Sequence, residues 1–511
     1  MVNRREFLLS TVGAPAASAQ PAKPPNLLVL ISDQLRFDAL SCAGNKVIET
    51  PNLDRLAREG ARFENAMCAC PVCVPSRTGM LTGKSMANST VRDNPQAQDP
   101  NLDVGPTYDN LLHDRGYKSQ YYGKWHIPYK AARTYDNKVA DVPGEHRDFL
   151  AYIDKHVPKR NPAKGELNSP MYNRPYTASP VDGHYADAQA GVNPGNYSQQ
   201  DQFGWIHVPK EYSLAAYPAD QTIQALGEMK AGPFSLTCSI GPPHPPFLNV
   251  EPYWGMYPWA DLPLSPNVSH DLKWAPYRQR AGTMAFYHDA ERVKRFESIY
   301  YGMAREVDDQ IGRILRRLDE LEIAGNTLVV FTADHGEMMG SHGLVSKMVL
   351  HEEAVHVPLL MRLPSAMKAG TVVSDPVSGL DLFATILDYL NVPAPARDGD
   401  SLRTLVQGKS ATDYRVSEWG VRNQPSFMVR TRDWKLMMAD APQSRAVDAL
   451  YDLKNDPYEM RNLLGDPADR AKSAARAEEM KERLIAWLGR VHSPALENVK
   501  ARKLSATGAN G

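Results

Sequence analysis

The sequence predicts an α/β fold, in which a large, mostly parallel sheet is flanked by helices and a smaller α+β region follows at the carboxyl end. First, apolar segments of strand length alternate with segments of helical periodicity. Second, polar residues suited to chemistry come just after the strand-like segments, at the edge where α/β sheets bind ligands. A chain of 511 residues is long enough to bury such a core without disulfides.

The elements of the large sheet follow from their local patterns. A continuous apolar run over 26–32 predicts a strand buried on both faces, because parallel strands covered by helices lack polar alternation. Apolar residues recur at helical spacing over 297–321, which predicts a long helix. The remaining predicted strands are 118–122, 234–240 and 327–331, and the remaining predicted helices are 52–59 and 107–114.

The amino terminus reads as a targeting segment. Arg4 and Arg5 precede a short, weakly apolar stretch that ends in Ala17-Ser18-Ala19. This arrangement resembles a bacterial twin-arginine export signal with an Ala-x-Ala cleavage site. We therefore assign residues 1–19 to a signal peptide and expect a periplasmic or exported protein.

Composition divides the rest of the chain. Residues 20–395 are assigned to a catalytic domain, in which 158–215 and 249–280 lack a clear period and are interpreted as insertions or lids. Residues 396–494 are assigned to a small α+β region, and 495–511 to a flexible tail. The predicted elements of the small region are strands over 427–430, 434–438 and 449–453 and a helix over 470–488.

The charge balance and the cysteine content exclude several classes of protein. Lys plus Arg number 58 and Asp plus Glu number 59, so the chain lacks the basic excess of a general nucleic-acid-binding protein. It contains no apolar run of about 18 residues, which excludes a membrane span. Five cysteines in this length do not make a disulfide scaffold.

Candidate functional residues cluster at the ends of four predicted strands. Because the carboxyl ends of parallel strands meet at one sheet edge, residues that follow them are expected to lie close together. The polar residues in these positions are Asp33, Lys124 with His126, His244, and Asp334 with His335.

A cysteine-rich segment offers several kinds of chemistry. Cys70 and Cys73 have the spacing of a redox pair or of half a zinc site. A zinc site needs a second pair, which isolated Cys42 and Cys238 do not provide, and a thioredoxin-like pair belongs in a much smaller domain. We therefore interpret Cys68 and Cys70 as small buried side chains that pack in the core, unless the two form a disulfide after export.

The residues that follow Cys73 match a longer pattern. Cys73-Val-Pro-Ser-Arg77, followed by Leu81-Thr82-Gly83, resembles the signature of the type I sulfatase family, the formylglycine-dependent sulfatases of the alkaline phosphatase superfamily. The resemblance implies an alkaline-phosphatase-like fold and a maturation enzyme that oxidises Cys73 to formylglycine. The hydrated aldehyde would be the nucleophile, with a second hydroxyl to expel sulfate, and Arg77 would hold it in place.

The resemblance also implies a divalent metal. Ile31-Ser-Asp33-Gln34 and Asp334-His335-Gly-Glu337 resemble the metal-binding turns of the family, so that Asp33, Gln34, Asp334, His335 and modified Cys73 would hold the ion. Oxygen ligands suit Ca²⁺, with Mg²⁺ as an alternative. Many members carry Asp-Asp where this chain has Asp33-Gln34, and His335 contributes a nitrogen, which makes Mn²⁺ a further candidate.

Cationic and imidazole groups complete the implied site. Gly123-Lys124-Trp-His126 matches a family motif, with Lys124 expected on a sulfate oxygen and His126 near the nucleophile. His244, in a second motif, would donate a proton to the leaving alcohol, and Lys347 would be the second lysine on the sulfate. A carboxyl-terminal pattern over 450–463 also resembles the family, so the likeness covers 26–465.

The expected reaction is hydrolysis of a sulfate ester, with a sulfated carbohydrate or small molecule as the substrate. A phosphonate or phosphate-diester hydrolase of the same superfamily is the alternative that Gln34 and His335 favour, whereas the motif at Lys124 favours a sulfatase. A third alternative is an exported, non-catalytic protein that binds polyanions. Trp254, Trp259 and Trp274 either stack on a sugar ring or pack in the core and at its rim.

Overall fold

The computed structural model describes residues 23–132, 134–136, 145–183, 202–284, 288–409, 413–420 and 423–506. The proposed signal peptide, residues 1–19, lies outside this part of the chain. Among the described residues, no helix combines the length and the apolar character needed to cross a membrane.

The described strands form three sheets. In chain order they are β1 (Asn26–Asp33), β2 (Ala61–Met67), β3 (Lys118–Gly123), β4 (Glu166–Ser169), β5 (Arg174–Ala178), β6 (Phe203–Ile206), β7 (Phe234–Pro243), β8 (Phe247–Asn249), β9 (Thr327–Ala333), β10 (Leu359–Arg362), β11 (Thr371–Ser378), β12 (Arg415–Glu418), β13 (Phe427–Arg430), β14 (Trp434–Met438) and β15 (Ala449–Asp452).

The described α-helices flank these sheets. In chain order they are α1 (Pro51–Glu59), α2 (Cys73–Thr82), α3 (Met86–Ser89), α4 (Tyr108–His113), α5 (Glu145–His156), α6 (Ala216–Met229), α7 (Arg278–Gly282), α8 (Ala290–Glu320), α9 (Glu352–Val355), α10 (Asp381–Tyr389), α11 (Arg403–Val406), α12 (Pro467–Arg490) and α13 (Leu496–Ala501).

The large sheet has seven strands in the order β11-β2-β10-β9-β1-β7-β3. All pairs are parallel except those of β10, which runs antiparallel to both of its neighbours. All eight residues of β1 are buried, as expected for a central strand covered on both faces. The predicted α/β class with a mostly parallel sheet is therefore confirmed.

The order of the strands brings the predicted functional residues together. β9, β1, β7 and β3 are consecutive neighbours with parallel pairing, so their carboxyl ends lie side by side. Asp33 ends β1, Asp334 follows β9, His244 follows β7 and Lys124 follows β3. Adjacent strands are about 4.8 Å apart, so side chains at four neighbouring ends are within reach of one another.

The segments interpreted as insertions contain regular structure. Strands β4, β5, β6 and β8 form a separate four-stranded sheet. The tryptophans of 249–280 contact protein groups: Arg295 lies 4.0 Å from the ring centre of Trp259, and Trp254 packs against the main core. Trp274 packs against the carboxyl-terminal core. These contacts favour the packing interpretation of the three tryptophans over the sugar-stacking one.

The carboxyl-terminal region forms an antiparallel sheet, β12-β13-β14-β15, with α12 packed on β13 and β14. The prediction of a flexible tail over 495–511 is wrong for residues 495–506. Helix α13 buries Val499 in this core, and the Arg502 guanidinium is 2.9 Å from a carboxylate oxygen of Asp448. A buried ion pair between Arg502 and Asp448 holds this segment in place. The polar composition of residues 495–511 does not reveal this ion pair, because Asp448 is distant in the chain.

Glu459 joins the carboxyl-terminal region to the catalytic region. Its side chain is 1% exposed, and its carboxylate accepts hydrogen bonds from the Nδ1 of His351 at 2.8 Å and the backbone N–H of Glu352 at 3.0 Å. Lys435 of β14 lies 2.7 Å from its other oxygen. Asn462 donates to the carbonyl oxygen of Trp274 at 2.9 Å. The pattern over 450–463 therefore links the two regions.

We predict that Glu306→Gln stabilises the protein at alkaline pH. Burial raises the pKa of Glu306 from 4.5 to about 7, so the folded protein keeps a proton that the unfolded chain releases between these values. The wild-type protein thus loses stability as pH rises from about 4.5 to 7, by an amount on the order of 3 kcal/mol. The variant should have a higher Tm than wild type at pH 8 and an equal Tm at pH 4.5.

Glu320→Gln, at the exposed end of the same helix, is the matched control and should give no such pH-dependent gain. An equal Tm difference between Glu306→Gln and wild type at both pH values would contradict the prediction.

Candidate functional site

Cys73 lies at the first position of helix α2, at the predicted sheet edge. All ten residues of this helix are buried, including small polar residues that fit between the sheet and its neighbours. Gly83 ends the helix in the left-handed conformation, with a φ of 68° that favours glycine. The helix amino terminus concentrates positive potential at Cys73, so an anion is stabilised there.

The five cysteines carry free thiols. Cys68 and Cys70 are buried, and burial raises the pKa of both thiols well above the ordinary value. They therefore pack as small apolar side chains, and the structure contains no disulfide between them.

Arg77, one turn after Cys73, binds two carboxylates at the strand ends. Its Nε donates to Asp334 at 2.8 Å, and its Nη2 lies 3.4 Å from Asp33. The same guanidinium donates to the carbonyl oxygen of Lys124 at 2.9 Å and to the hydroxyl of Ser239 at 2.8 Å. Arg77 is fully buried, so this planar set of bonds fixes helix α2 relative to four strand ends.

Four of the predicted metal ligands come together. The ligand atoms of Asp33, Cys73, Asp334 and His335 lie within 4.8 Å of one another, and all four residues are buried. One oxygen of Asp33, Oδ1, is buried without a hydrogen-bond partner. Because an unpartnered buried carboxylate oxygen is costly, its presence in such a cluster fits a site for a cation.

The imidazole of His335 is oriented for ligation. Its Nδ1 donates to the carbonyl oxygen of Gly336 at 3.0 Å, which directs Nε2 toward Cys73, 3.1 Å from the sulfur. Burial lowers the pKa of His335, but the negative charge of Asp334 and the contact with Cys73 together outweigh it and raise the pKa above the ordinary value. The surroundings thus favour positive charge at Nε2, from a proton or from a metal ion.

Two lysines surround the sulfur. The Nζ of Lys124 forms an ion pair with Asp33 and lies 3.9 Å from the sulfur of Cys73. The Nζ of Lys347 donates to the Oε1 of Gln34 at 2.5 Å. Burial alone raises the pKa of the Cys73 thiol, but Lys124, Lys347 and His335 together lower it well below its ordinary value. The site therefore stabilises negative charge at position 73.

His126 and His244 also face Cys73, and each is a hydrogen-bonding neighbour of its sulfur. The Nδ1 of His244 donates to the carbonyl oxygen of Pro245 at 2.9 Å, so its Nε2 is the nitrogen available to the site. Burial, with Lys347 and Lys124, lowers the pKa of His244 to about 4. Burial likewise lowers the pKa of His126.

The structure thus brings all the predicted site residues to one sheet edge. It adds three residues that sequence reasoning did not single out. Ser239, near the end of β7, binds Arg77, and the Ser76 hydroxyl donates to the carbonyl oxygen of Asp334 at 2.5 Å. Glu337 contacts the amide of Gln34. Ser76 and Glu337 belong to the two quoted motifs, and Ser239 lies near a strand end. Motif membership and position at a strand end are the sequence features by which these residues could have been found.

A second group of potential ligands, His342, His351 and Glu459, is not suited to a metal ion. The two imidazole rings stack with centres 3.9 Å apart and planes 15° from parallel. A ligating nitrogen directs its lone pair in the ring plane, so two stacked, nearly parallel rings do not point at one ion. We attribute this group to packing around the Glu459 junction.

Comparison with known families gives two matches. The family profile described as Sulfatase matches residues 25–392, and the profile described as N-sulphoglucosamine sulphohydrolase, C-terminal, matches residues 340–487. The first match alone spans more than half of the chain.

Individual proteins agree over nearly the whole length. The chain is 27% identical to an arylsulfatase of Clostridium perfringens, with 90% of this chain and 92% of that protein covered. It is 25% identical to an N-acetylglucosamine-6-O-sulfatase of Bacteroides thetaiotaomicron, with 93% and 88% covered.

Among solved structures, a phosphonate monoester hydrolase of Agrobacterium radiobacter superposes with a TM-score of 0.72 at 25% identity. This match covers 93% of this chain and 97% of that one. The chain therefore belongs to the type I sulfatase family, the sulfuric ester hydrolases of the alkaline phosphatase superfamily.

Proposed function

We propose that this protein hydrolyses sulfate esters of a carbohydrate, using a formylglycine made from Cys73 and a bound divalent metal. The main support is the position of Cys73 at the start of a buried helix, with the carboxylates of Asp33 and Asp334 close to its sulfur and the charges of Lys124 and Lys347 acting on it. Such a site binds a cation and an anion next to each other, as cleavage of a sulfate ester requires.

Asp33, Gln34, Asp334 and His335 would hold the metal together with residue 73. The unpartnered Oδ1 of Asp33 and the Nε2 of His335 support this assignment. When bound, the ion would neutralise sulfate charge and lower the pKa of the aldehyde hydrate. We expect Ca²⁺ from the oxygen ligands; the imidazole nitrogen and the neutral Gln34 keep Mn²⁺ as an alternative, and Mg²⁺ is a third.

The residues of the chain position the reacting groups. The hydrate of formylglycine would supply one hydroxyl to attack sulfur and a second to release sulfate. Arg77 holds the helix that carries residue 73, and Lys124 and Lys347 bind sulfate oxygens as charge shifts during transfer.

His244 is the proposed proton donor to the leaving alcohol. Its Nδ1 is held by the carbonyl oxygen of Pro245, so the transferred proton is on Nε2. Burial and the lysines lower its pKa to about 4. A bound sulfate ester brings negative charge next to this ring and favours its protonated form, which is the form that donates the proton. His126 is a hydrogen-bonding neighbour of residue 73 and would assist there.

The substrate class is proposed from two further observations. A relative that covers 93% of the chain is named an N-acetylglucosamine-6-O-sulfatase. The paired arginines at the amino terminus support export to the periplasm or beyond it, where polymeric carbohydrates are met. The same proposal includes a formylglycine-installing enzyme as a partner. The tryptophans add no support, because they pack against protein groups.

The alternative reaction is hydrolysis of a phosphonate or phosphate diester. Gln34 and His335 in the metal site favour it, as does the likeness to the phosphonate monoester hydrolase. A protein that only binds polyanions is disfavoured, since such a protein has no need of a low thiol pKa at a buried metal-ligand cluster.

We predict that Cys73 is converted to formylglycine when the protein is made together with a formylglycine-installing enzyme. Mass spectrometry of the tryptic peptide Phe63–Arg77 should give the mass loss of a thiol-to-aldehyde conversion at Cys73. Cys68 and Cys70 lie in the same peptide and serve as internal controls that should keep their thiols. An unmodified Cys73 in the presence of a competent enzyme would contradict the proposal.

We predict that His244→Ala lowers kcat about 10²- to 10⁴-fold on a sugar sulfate, because an alkoxide leaves poorly without a proton. The loss should be much smaller on an activated aryl sulfate, whose phenolate needs no acid. The exposed His113→Ala is the control and should leave both rates unchanged. Equal losses on both substrates would exclude His244 as the acid.

We predict a higher kcat/KM on sulfate esters than on phosphonate esters of the same aryl alcohol. Lys124 lies 3.9 Å from the sulfur of residue 73 and Lys347 binds the neighbouring Gln34, and the motif at Lys124 favours sulfate. Sulfated oligosaccharides should also release sulfate under the same conditions. A large preference for the phosphonate would reverse the assignment in favour of the alternative, and inert sugar sulfates would remove the carbohydrate.

A further inference from the structure

We propose that Glu337 is a positioning residue that fixes the side-chain amide of Gln34, so that its Oε1 faces the metal position and Lys347. Both residues are buried, with Gln34 0% and Glu337 1% exposed. The inference rests on the proposed function for the metal. The orientation of the amide itself follows from the contacts alone.

The neighbours of Gln34 dictate which way its amide points. Its Nε2 donates to the Oε2 of Glu337, and its Oε1 accepts from the Nζ of Lys347 at 2.5 Å. A carboxylate only accepts hydrogen bonds and an ammonium group only donates them. The reversed amide would oppose nitrogen to ammonium on one side and oxygen to carboxylate on the other. Two independent neighbours thus require the same orientation.

The second oxygen of Glu337 holds the loop that carries Lys347. Oε1 accepts from the backbone N–H of Met339 at 3.1 Å and from that of Ser346, the residue before Lys347. Gln34, Met339 and Ser346 have φ values of 66°, 48° and 66°, so the backbone is left-handed at all three non-glycine residues. Such conformations persist where surrounding contacts fix them, and Glu337 supplies those contacts.

The pair also explains the neutral residue at position 34. A carboxylate there would face the carboxylate of Glu337 in a buried environment, where like charges repel strongly. The negative charge is instead carried by Glu337, behind Gln34. Gln34 itself directs its neutral amide oxygen toward the metal position. The effect of a substitution at position 337 should therefore depend on which residue is present at position 34.

Four proteins test this coupling: wild type, Gln34→Glu, Glu337→Gln and the double variant. In Glu337→Gln the new amide cannot satisfy both Gln34 and the two backbone N–H groups, so we expect a lower Tm in EDTA and Mn²⁺ binding about tenfold weaker or worse. In the double variant, the Oε1 of residue 337 keeps the backbone bonds and its Nε2 donates to the carboxylate at 34. Donor and acceptor are exchanged in the hydrogen bond between residues 34 and 337, but this bond and the two backbone hydrogen bonds are all kept.

The expected result is a change of sign. Glu337→Gln should lower both Tm and Mn²⁺ affinity when residue 34 is Gln, and raise Tm without weakening Mn²⁺ binding when residue 34 is Glu. Isothermal titration with MnCl₂ measures the affinity, and thermal denaturation in EDTA measures the pair without metal. Glu306→Gln, the same substitution at a buried site on α8, is the control and should leave Mn²⁺ affinity unchanged.

A Glu337→Gln effect of the same sign and size with either residue at 34 would overturn the proposal, because a general structural role predicts this. Failure of the metal part of the proposed function looks different. In that case wild type binds neither Mn²⁺ nor Ca²⁺, while the reversal of the Tm effect in EDTA persists and supports the positioning role of Glu337.

Discussion

The ion pairs of the Arg77 guanidinium with the carboxylates of Asp33 and Asp334 are the interaction on which the site depends. Both carboxylates end neighbouring central strands and are fully buried, where unpaired charge is costly. Arg77 and Lys124 compensate them: burial alone raises the pKa of Asp33, but the positive charges of Lys124 and Arg77 outweigh it and hold this pKa well below its ordinary value. Because Arg77 belongs to helix α2, the same bonds place Cys73 above the strand ends. Removing this one guanidinium would take a cation from both buried carboxylates and leave the helix without its anchor.

The other residues of the site compensate the negative charge of the carboxylates at these strand ends. Helix α2 contributes its positive end at Cys73, and Lys124 and Lys347 contribute full positive charges that act on the same residue. The result is a small buried volume that contains both carboxylates and cations. A cation and a sulfate group can then bind as neighbours, each neutralising part of the surroundings that would repel it alone.

Much of this could be predicted from the sequence because the patterns were local. The apolar run at β1, the strands β13 and β14 and the motif at Cys73 depend on adjacent residues. Strand β10 could not be predicted as an antiparallel member of the sheet, since its neighbour β2 is distant in the chain. The contacts of Glu337 with Gln34 and of Ser239 with Arg77 were missed for the same reason, because residues distant in the chain meet only when the sheet forms.

The complete burial of helix α2 has a consequence for biosynthesis. All ten of its residues, Cys73 among them, are covered by the sheet and its neighbours. An enzyme that oxidises this cysteine has to reach its side chain, which the folded protein covers. The conversion that we propose therefore belongs to the chain before it folds. A protein that folds without this modification would stay unmodified until it unfolds.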